Sequence, residues 1–317
     1  IASLIFQSMG VPLEGVAAML EAIQEMKYFL RTAYGDSEDF ANSRIEMKYQ
    51  GLCQGNGAAP AGWAVISITV VRAHKRKGHG ATFLCPVSGV KSHLAAVLFV
   101  DDCDLIHVDM VNDESALETF EKMQASVKSW GMLLIATGGS YKPDKCFHHL
   151  ISFAWDRNGK WSYASNHDNS DYTMVVPMPD GSEVQIDHLP VTQARETLGV
   201  WSSPDGNATE SLTQMREKAQ DWIDRAKEGA LRRRDVWFLV DVQFWPRVGY
   251  GICCSMATHS KLESALGKQY YQLIPMGGVV RTAPASVRQL HRGFYGIGCP
   301  HPGIKCLTSQ ISKLLMH

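Results

Sequence analysis

The sequence predicts an α+β fold, in which an antiparallel sheet with packed helices is followed by a mainly helical region. Short apolar runs of strand length alternate with turn signals in the first part, most clearly around Asn158-Gly159. After Gly206, apolar residues recur at helical spacing and basic residues occupy the other faces. We therefore expect a mixed domain over residues 1–205 and a helical domain over residues 206–317.

Apolar residues at helical spacing predict three helices in the first domain, over residues 12–30, 58–73 and 116–127. The third helix is expected to end at Trp130-Gly131, because glycine commonly closes a helix. A second hairpin is predicted around Asp180-Gly181, and a single short strand over residues 197–201.

The charge of the chain limits how it could bind nucleic acid. With 31 basic and 32 acidic residues its formal net charge is -1, so it is not a polycation. Basic residues are concentrated in residues 74–77 and 232–234. A nucleic-acid partner would therefore be held by local patches, although such runs are also common on solvated faces.

The eight cysteines are scattered and include no C-x-x-C pair, which favours a reducing compartment over a disulfide framework. Cys299, His301 and Cys306 lack a fourth ligand at zinc-finger spacing. Neither a signal peptide nor an apolar run long enough for a membrane span is visible. The predicted location is intracellular, either nuclear or cytoplasmic.

Two adjacent aspartates interrupt an apolar segment. Residues 95–100 form an apolar run of strand length, Asp101-Asp102 follow, and residues 103–108 continue as a second strand candidate. Carboxylates this close repel each other unless a cation lies between them. Mg²⁺ prefers such oxygen ligands, and two such ions can stabilise a phosphoryl displacement. The alternative is an ordinary turn, where aspartate is common.

A glycine-rich segment lies upstream of the aspartates. Gly51, Gln54, Gly55 and Pro60 join a strand candidate at residues 45–49 to the second predicted helix. Glycine lets a nucleotide or template approach the backbone closely, and glutamine can hydrogen-bond base or sugar edges. An ordinary strand-to-helix turn is the competing interpretation.

These segments resemble the motifs of reverse transcriptases, specifically those of non-LTR (LINE-type) retrotransposons. The family's second palm motif reads G-x-x-Q-G-x-x-x-S-P, and the chain matches it except that Ala59 replaces serine. The family's aromatic-x-Asp-Asp hairpin corresponds to Phe99-Val100-Asp101-Asp102.

Two further segments match the family in order. A helix with a glycine-containing turn followed by lysine corresponds to Trp130-Gly131 and then Lys142 or Lys145. The Leu-Gly strand at the junction of palm and thumb corresponds to residues 198–200. The resemblance covers roughly residues 45–200, and the basic helix after residue 206 stands where the family has its thumb.

The resemblance implies a partial polymerase palm, a helical thumb and RNA-directed DNA polymerisation, with Mg²⁺ or Mn²⁺, an RNA template, a DNA primer and deoxynucleotide triphosphates. Asp101 and Asp102 would be metal ligands, and Lys145 would donate a proton to pyrophosphate or stabilise its charge. The implied nucleotide and template contacts are Gly51, Gln54, Gly55, Pro60 and Phe99. The implied contacts to backbone phosphates are Arg216, Arg225 and Lys227.

One part of the family pattern is not found in the sequence. The first palm motif supplies another essential aspartate, and the fingers hold the nucleotide phosphates. Both would precede Ile1, so we expect a missing N-terminal portion of the same polypeptide. The isolated 317 residues are then expected not to polymerise DNA. Magnesium-dependent primer extension by this chain would contradict that expectation.

Two other functions are compatible with the residues. The first is a degenerate retrotransposon remnant that keeps the fold and at most binds RNA. The second is a metal-dependent phosphohydrolase using Asp101, Asp102 and Asp104, for which further acidic or histidine-rich motifs are not visible. Coding sequence upstream of Ile1 would separate the polymerase from the remnant.

Overall fold

The computed structural model describes residues 2–42, 57, 59–108, 115–164, 172–299 and 301–316. The chain divides into two compact units, Ile1–Leu189 and Pro190–His317. The division falls before residue 205, where the change in sequence character placed the boundary. The strand candidate at residues 45–49 lies outside the described residues.

Helices and strands are mixed in both units, with 49% of residues helical and 18% in strands. In the first unit the helices are α1 (Ala2–Ser8), α2 (Leu13–Glu25), α3 (Ala59–Arg76) and α4 (Ala116–Ala136). Its strands are β1 (Lys27–Thr32), β2 (Gly35–Asn42), β3 (Ala81–Leu84), β4 (Lys91–Leu94), β5 (Ala96–Phe99), β6 (Asp102–Leu105), β7 (Phe147–His148), β8 (Phe153–Trp155), β9 (Trp161–Tyr163), β10 (Val175–Pro177), β11 (Glu183–Gln185) and β12 (Asp187–His188).

The strands pair two at a time. Among the described residues there is no sheet of more than two strands, and every pair in this unit is antiparallel except β7 with β12. The α+β class is therefore confirmed, but a single broad antiparallel sheet is not seen. Both predicted hairpins are confirmed, as β8–β9 around Asn158-Gly159 and β10–β11 around Asp180-Gly181.

Helix α3 confirms the helix predicted over residues 58–73. Pro60 lies in its first turn, where a missing backbone N–H leaves no helical bond unmade. Ile66, Val70 and His74 are buried along one face, as the apolar spacing indicated. Lys75 and other basic residues occupy the last turn, where cations stabilise the carbonyl end of a helix.

The first predicted helix is shorter than expected. Helix α2 ends at Glu25, and Lys27–Thr32 forms strand β1 against β2 instead of continuing the helix to residue 30. The ring centroids of Phe29 and Phe40 lie 5.6 Å apart across this hairpin. Aromatic pairing between strands, together with the high strand preference of aromatic residues, outweighs the helical spacing at this point.

Helix α4 begins at a capping box and continues past the predicted end. The Ser115 side chain accepts the Glu118 backbone N–H, and the Glu118 carboxylate accepts the Ser115 N–H. The prediction that the helix closes at Trp130-Gly131 is wrong, since the helix extends to Ala136. Gly131 has another role, because a Cβ there would lie 2.5 Å from Pro177 Cγ and 2.7 Å from Tyr141 Cε2. The glycine permits close packing.

Two apolar clusters form the core of the first unit. One contains residues from α1, α3 and α4, namely Ile5, Ile66, Val70 and Trp130. The other joins α4 to β10 and the segments around it, with Phe120, Val127, Leu150, Met174, Val176 and Ile186. The Gln124 side-chain amide both donates to the Val175 carbonyl and accepts the Val175 N–H, at 2.8 Å each, and so fixes β10 against α4.

The second unit contains β13 (Arg195–Thr197), β14 (Val200–Ser202), α5 (Thr209–Glu228), α6 (Arg233–Leu239), α7 (Trp245–Val248), α8 (His259–Met276), α9 (Ala285–Gln289) and α10 (Pro302–Met316). Helix α5 packs on α8, and their facing residues form the largest apolar cluster, which includes Ala219, Ile223, Leu266 and Leu273. The predicted amphipathic helix and the mainly helical remainder are confirmed. No helix within the described ranges is long and apolar enough to cross a membrane.

The short strand predicted over residues 197–201 is a hairpin instead. Strands β13 and β14 pair across a turn at Leu198-Gly199, whose φ angles are 52° and 79°. Two successive positive φ values are typical of the type I′ turn, which matches the twist of the flanking strands. Gly199 suits such a turn, whereas Leu198 adopts a backbone conformation that costs it free energy.

Candidate functional site

The paired aspartates lie on the β5–β6 hairpin. Phe99 pairs with Asp102, and Val97 pairs with Asp104, so the loop between the strands consists of Val100 and Asp101. The strand-turn-strand pattern predicted around the aspartates is confirmed. Asp101 occupies the turn itself, while Asp102 is the first residue of β6.

The hairpin has one covered and one open face. Ala96, Leu98, Cys103 and Leu105 pack against the cluster formed by α1, α3 and α4. Because neighbouring residues of a strand point to opposite faces, Phe99 and Asp102 lie on the other side. That face is open, and Phe99 is 59% exposed. Helices therefore support the hairpin from behind and leave its carboxylates accessible.

The turn is fixed to the start of α3. The indole N–H of Trp63, in the second turn of that helix, donates a hydrogen bond to the backbone carbonyl oxygen of Val100. Val100 has a φ of 56°, which is unfavourable for a β-branched residue. Such a conformation costs about 1–3 kcal/mol and persists only where the surroundings impose it. The Trp63 hydrogen bond and the packing behind the strands supply that constraint.

The carboxylates of Asp101 and Asp102 are exposed. Within the described part of the chain, neither is in an ion pair. Partial burial, and secondly the charge of Asp102, raise the pKa of the Asp104 carboxyl. The hairpin therefore carries closely spaced negative charge that no basic side chain of the described chain neutralises by a direct contact.

A divalent cation suits this donor set. Mg²⁺ takes oxygen ligands, is commonly held by one or two carboxylates and keeps several waters. Asp101 and Asp102 could hold it in that manner. Among the described residues, however, no third His, Cys, Asp or Glu converges with them, and Asp101, Asp102 and Asp104 do not form a group of three ligand atoms within 4.8 Å. The phosphohydrolase alternative, which needed these three acids together, therefore gains no support.

The remaining residues predicted near the aspartates are placed as follows. Pro60 lies one turn before Trp63 on α3. Lys145 ends a short 3-10 turn, Pro143–Lys145, and is exposed. Tyr141, just before that turn, packs against the same cluster as the strand residue Cys103. Pro60 is thus on a helix that contacts the hairpin, whereas the contact with this cluster nearest to Lys145 in sequence is that of Tyr141, four residues earlier. Gly51, Gln54 and Gly55 lie outside the described residues.

The basic residues predicted to contact phosphates all lie on α5, in the second unit, but they differ in their surroundings. Arg225 Nε lies 2.9 Å from the Asp221 carboxylate. Lys227 Nζ lies 3.5 Å from an Asp224 carboxylate oxygen and donates to Gln272 at 2.9 Å. Arg216 is exposed and, within the described chain, is in no ion pair. Of the three, Arg216 has its charge most available.

A separate cluster in the second unit was not predicted. Ligand atoms of His259, Glu263 and His301 lie within 4.8 Å of one another. The two imidazole rings are stacked at 4.4 Å and 2° between planes, so their in-plane lone pairs do not converge. His301 Nδ1 accepts the Gly303 N–H, which leaves the proton on Nε2, 3.3 Å from the Glu263 carboxylate. This arrangement favours a hydrogen-bonded contact between α8 and α10 over a metal site.

The weak zinc pattern at Cys299, His301 and Cys306 is explained by other contacts. Cys299 and Cys306 are buried in the apolar cluster of the second unit. The Cys306 thiol donates to the Ile252 carbonyl at 3.2 Å. His301 is engaged with Glu263. These residues therefore pack the interior of the unit.

The sequence motifs did not predict two structural features that bear on function. The hydrogen bond of Trp63 could not be predicted from local sequence, because its partner is 37 residues away in the chain. The exposed aromatic face of the β8–β9 hairpin did have a signal, in the alternating aromatic residues on both sides of Asn158-Gly159. Comparison of the chain with protein families, with curated proteins and with solved structures gave no match.

Proposed function

We propose that this chain is the palm and thumb portion of an RNA-directed DNA polymerase of the non-LTR retrotransposon type, with nucleotidyl transfer centred on Asp101 and Asp102. The observation that carries the proposal is the hydrogen bond from Trp63 to Val100. It holds the carboxylate turn against the helix that follows the Gly-Gln-Gly segment. The helix that carries Pro60, the described end of the glycine-rich motif, is therefore in contact with the aspartate hairpin.

The open face of the hairpin supports a role for the metal. Mg²⁺, or Mn²⁺ in its place, would be held by Asp101 and Asp102 and would stabilise negative charge on the phosphate oxygens during transfer. The packing behind β5 and β6 holds the backbone of the hairpin in place before a ligand arrives, which lowers the cost of organising the site.

Other residues have proposed roles around the carboxylates. Phe99 offers an apolar ring beside Asp102, on which a sugar or base could pack. Lys145 would neutralise departing pyrophosphate or donate a proton to it. Gly51, Gln54 and Gly55 are proposed to position template and nucleotide from the segment before Pro60. Template, primer and deoxynucleotide triphosphates are the proposed partners.

In the second unit, the proposed thumb helix α5 would contact backbone phosphates, which position a nucleic acid without reading its sequence. Arg216 is the first candidate because no described carboxylate pairs with it. Arg225 and Lys227 would have to exchange an internal ion pair for a phosphate, so their net contribution is smaller.

The alternative function is a non-catalytic remnant that binds RNA. One observation favours it, namely that no third ligand joins Asp101 and Asp102 among the described residues. A two-metal site normally uses more carboxylates than these two. The remnant would bind RNA equally well with and without divalent cations, whereas the polymerase portion would still bind a cation at the hairpin.

Terbium luminescence tests the proposed site. Tb³⁺ is a hard cation that takes oxygen ligands, and a nearby tryptophan sensitises its emission. We expect sensitised emission that Mg²⁺ displaces and that falls strongly in Asp101→Asn and in Trp63→Phe. Glu217→Gln, which removes an exposed carboxylate from α5, is the control and should leave the emission unchanged. Equal emission from the wild type and Asp101→Asn would reject the proposed metal site.

A further inference from the structure

The β8–β9 hairpin places four aromatic residues on one face. Phe153 pairs with Tyr163, and Trp155 pairs with Trp161. Residues two apart on a strand point the same way, so all four rings share a face, while Ala154 and its neighbour across the hairpin occupy the other. The pattern is symmetrical about the Asn158-Gly159 turn.

The rings contact one another, and those of Phe153, Trp155 and Trp161 are exposed, whereas Tyr163 is half-buried. The centroid of Phe153 lies 5.5 Å from those of Trp161 and Tyr163 and 6.2 Å from that of Trp155. None of the four belongs to a described core cluster. Trp155 is the most open, with 66% of its surface exposed. An apolar face of this kind commonly marks a binding surface.

The turn of this hairpin carries two basic residues and one acidic residue. Arg157 and Lys160 flank the turn, are exposed and form no ion pair within the described chain. The acidic residue in the loop is Asp156, whose carboxylate is hydrogen-bonded to the backbone of the turn. Its Oδ1 accepts the backbone N–H groups of Asn158 and Lys160 at 2.8 and 2.9 Å. Two cations without an ion pair in the described chain therefore lie in the turn at the end of the aromatic face.

We propose that this face is a stacking platform for unpaired bases of a single-stranded nucleic acid, with Arg157 and Lys160 contacting its phosphates. Aromatic rings accept any base, and adjacent cations match the regular negative charge of the backbone. The two aromatic pairs are separated by two residues, or about 6.8 Å along the strands, so they could receive two successive bases. The surface uses neither Asp101 nor Asp102 and needs no metal.

The rings could instead stabilise the hairpin, and this role has to be distinguished from base binding. An isolated two-stranded hairpin is marginally stable, and aromatic pairs across the strands stabilise it. That role would account for Phe153 and Trp161, whose rings meet edge to face. It does not require the Trp155 ring to remain mostly uncovered. Trp155 is therefore the residue on which the two roles differ most.

The test measures binding of a short oligouridylate to the full chain in EDTA, which removes any contribution from a metal at Asp101. We expect Trp155→Ala to weaken binding about tenfold, in line with the loss of one stacked base. Trp155→Phe should retain most of the affinity. Tyr34→Ala is the control, because Tyr34 is an even more exposed aromatic residue and lies at the turn of another hairpin, β1–β2.

Two further measurements separate stacking from charge and from folding. An abasic oligomer with the same number of phosphates should bind the wild type at least as weakly as oligouridylate binds Trp155→Ala, because it can stack no base on the platform. Oligouridylate should quench the tryptophan fluorescence of the wild type more than that of Trp155→Phe, a difference that a purely structural role would not produce. The proposal would be overturned if the wild type bound the abasic oligomer as tightly as oligouridylate, or if Trp155→Ala bound oligouridylate as tightly as the wild type. Neither result would bear on the metal site at Asp101 and Asp102.

Discussion

The indole N–H of Trp63 is hydrogen-bonded to the backbone carbonyl of Val100, the residue that precedes the aspartate pair. Val100 is in the left-handed region of backbone space at a φ of 56°. A two-residue hairpin loop with positive φ at its first position usually has glycine there. The turn that presents Asp101 is thus held in an unfavourable conformation by a side chain from α3.

Replacing Trp63 by phenylalanine tests this constraint. The variant keeps an aromatic ring but loses the donor, so the Val100 carbonyl must find water instead. We expect the free energy of unfolding to fall by about 1 kcal/mol, the usual net value of one hydrogen bond. Chemical denaturation of both proteins measures this change. Trp155→Phe, at an exposed position, serves as the control, and an equal loss in the control would contradict the assignment.

Gly131 and Gly15 make a matched pair of helical glycines. A Cβ at Gly131 would lie 2.5 Å from Pro177 Cγ, whereas at Gly15 the nearest atom is Val11 Cγ1 at an ordinary 3.7 Å. We expect Gly131→Ala to lower the free energy of unfolding by about 1–3 kcal/mol through overpacking. Gly15→Ala should raise it by about 0.5–1 kcal/mol through better helix propensity. Thermal denaturation of both variants measures the contrast, and the same sign of change in both would refute the packing explanation.

Local patterns predicted the elements whose determinants are adjacent in sequence. Asn158-Gly159 specifies its own hairpin, and the apolar spacing around Ile66 and Val70 specifies α3. Partners that are distant in the chain decided the other cases. Gly131 looked like a helix end because its contact with Pro177 depends on tertiary packing. For the candidate site, the hairpin position of Asp101 could be predicted, whereas the Trp63 contact, which joins residues 37 apart, could not. The pairing of Arg225 with Asp221 joins residues four apart on a predicted helix, so it could have been predicted but was missed.

The buried imidazole of His74 should make stability depend on pH. Burial, followed by the nearby His79 and Lys77, lowers the pKa of His74 to about 4. Its Nε2 contacts Ser126 Oγ at 3.1 Å, and its buried Nδ1 has no hydrogen-bond partner within the described structure. The ring stacks on His79 with centroids 4.7 Å apart. A proton on both ring nitrogens would therefore be poorly accommodated.

The direction of the pH effect follows from proton uptake. The unfolded chain protonates His74 below about pH 6.5, but the folded chain does so only near pH 4, so stability is lost as pH falls from 6.5 to 4. His148, whose pKa is also lowered to about 4 chiefly by burial, contributes in the same window. The denaturation midpoint of His74→Phe should therefore fall less than that of the wild type as the pH is lowered from 6.5 to 4. An identical slope in the two proteins would contradict the burial of a neutral His74.

Arg216 and Arg225 should differ in nucleic-acid binding if α5 contacts phosphates. Arg216 has an available charge, whereas the Asp221 carboxylate lies 2.9 Å from the Arg225 guanidinium. We expect Arg216→Ala to weaken binding of a primer–template and to reduce the slope of log affinity against log salt by about 1. Arg225→Ala should change both quantities less. The measurement is a salt titration by fluorescence anisotropy, and equal slopes in the wild type and Arg216→Ala would exclude that contact.

The central claim, that Asp101 and Asp102 bind a divalent cation, is tested most directly by locating the ion. Fe²⁺ in place of Mg²⁺, with ascorbate and peroxide, cleaves the backbone next to its binding site, and mass spectrometry identifies the cut. We predict cleavage beside Asp101 and in the part of α3 around Trp63, both lost in Asp101→Asn. Cleavage confined to the region of His259, Glu263 and His301, or unaffected by Asp101→Asn, would contradict the claim.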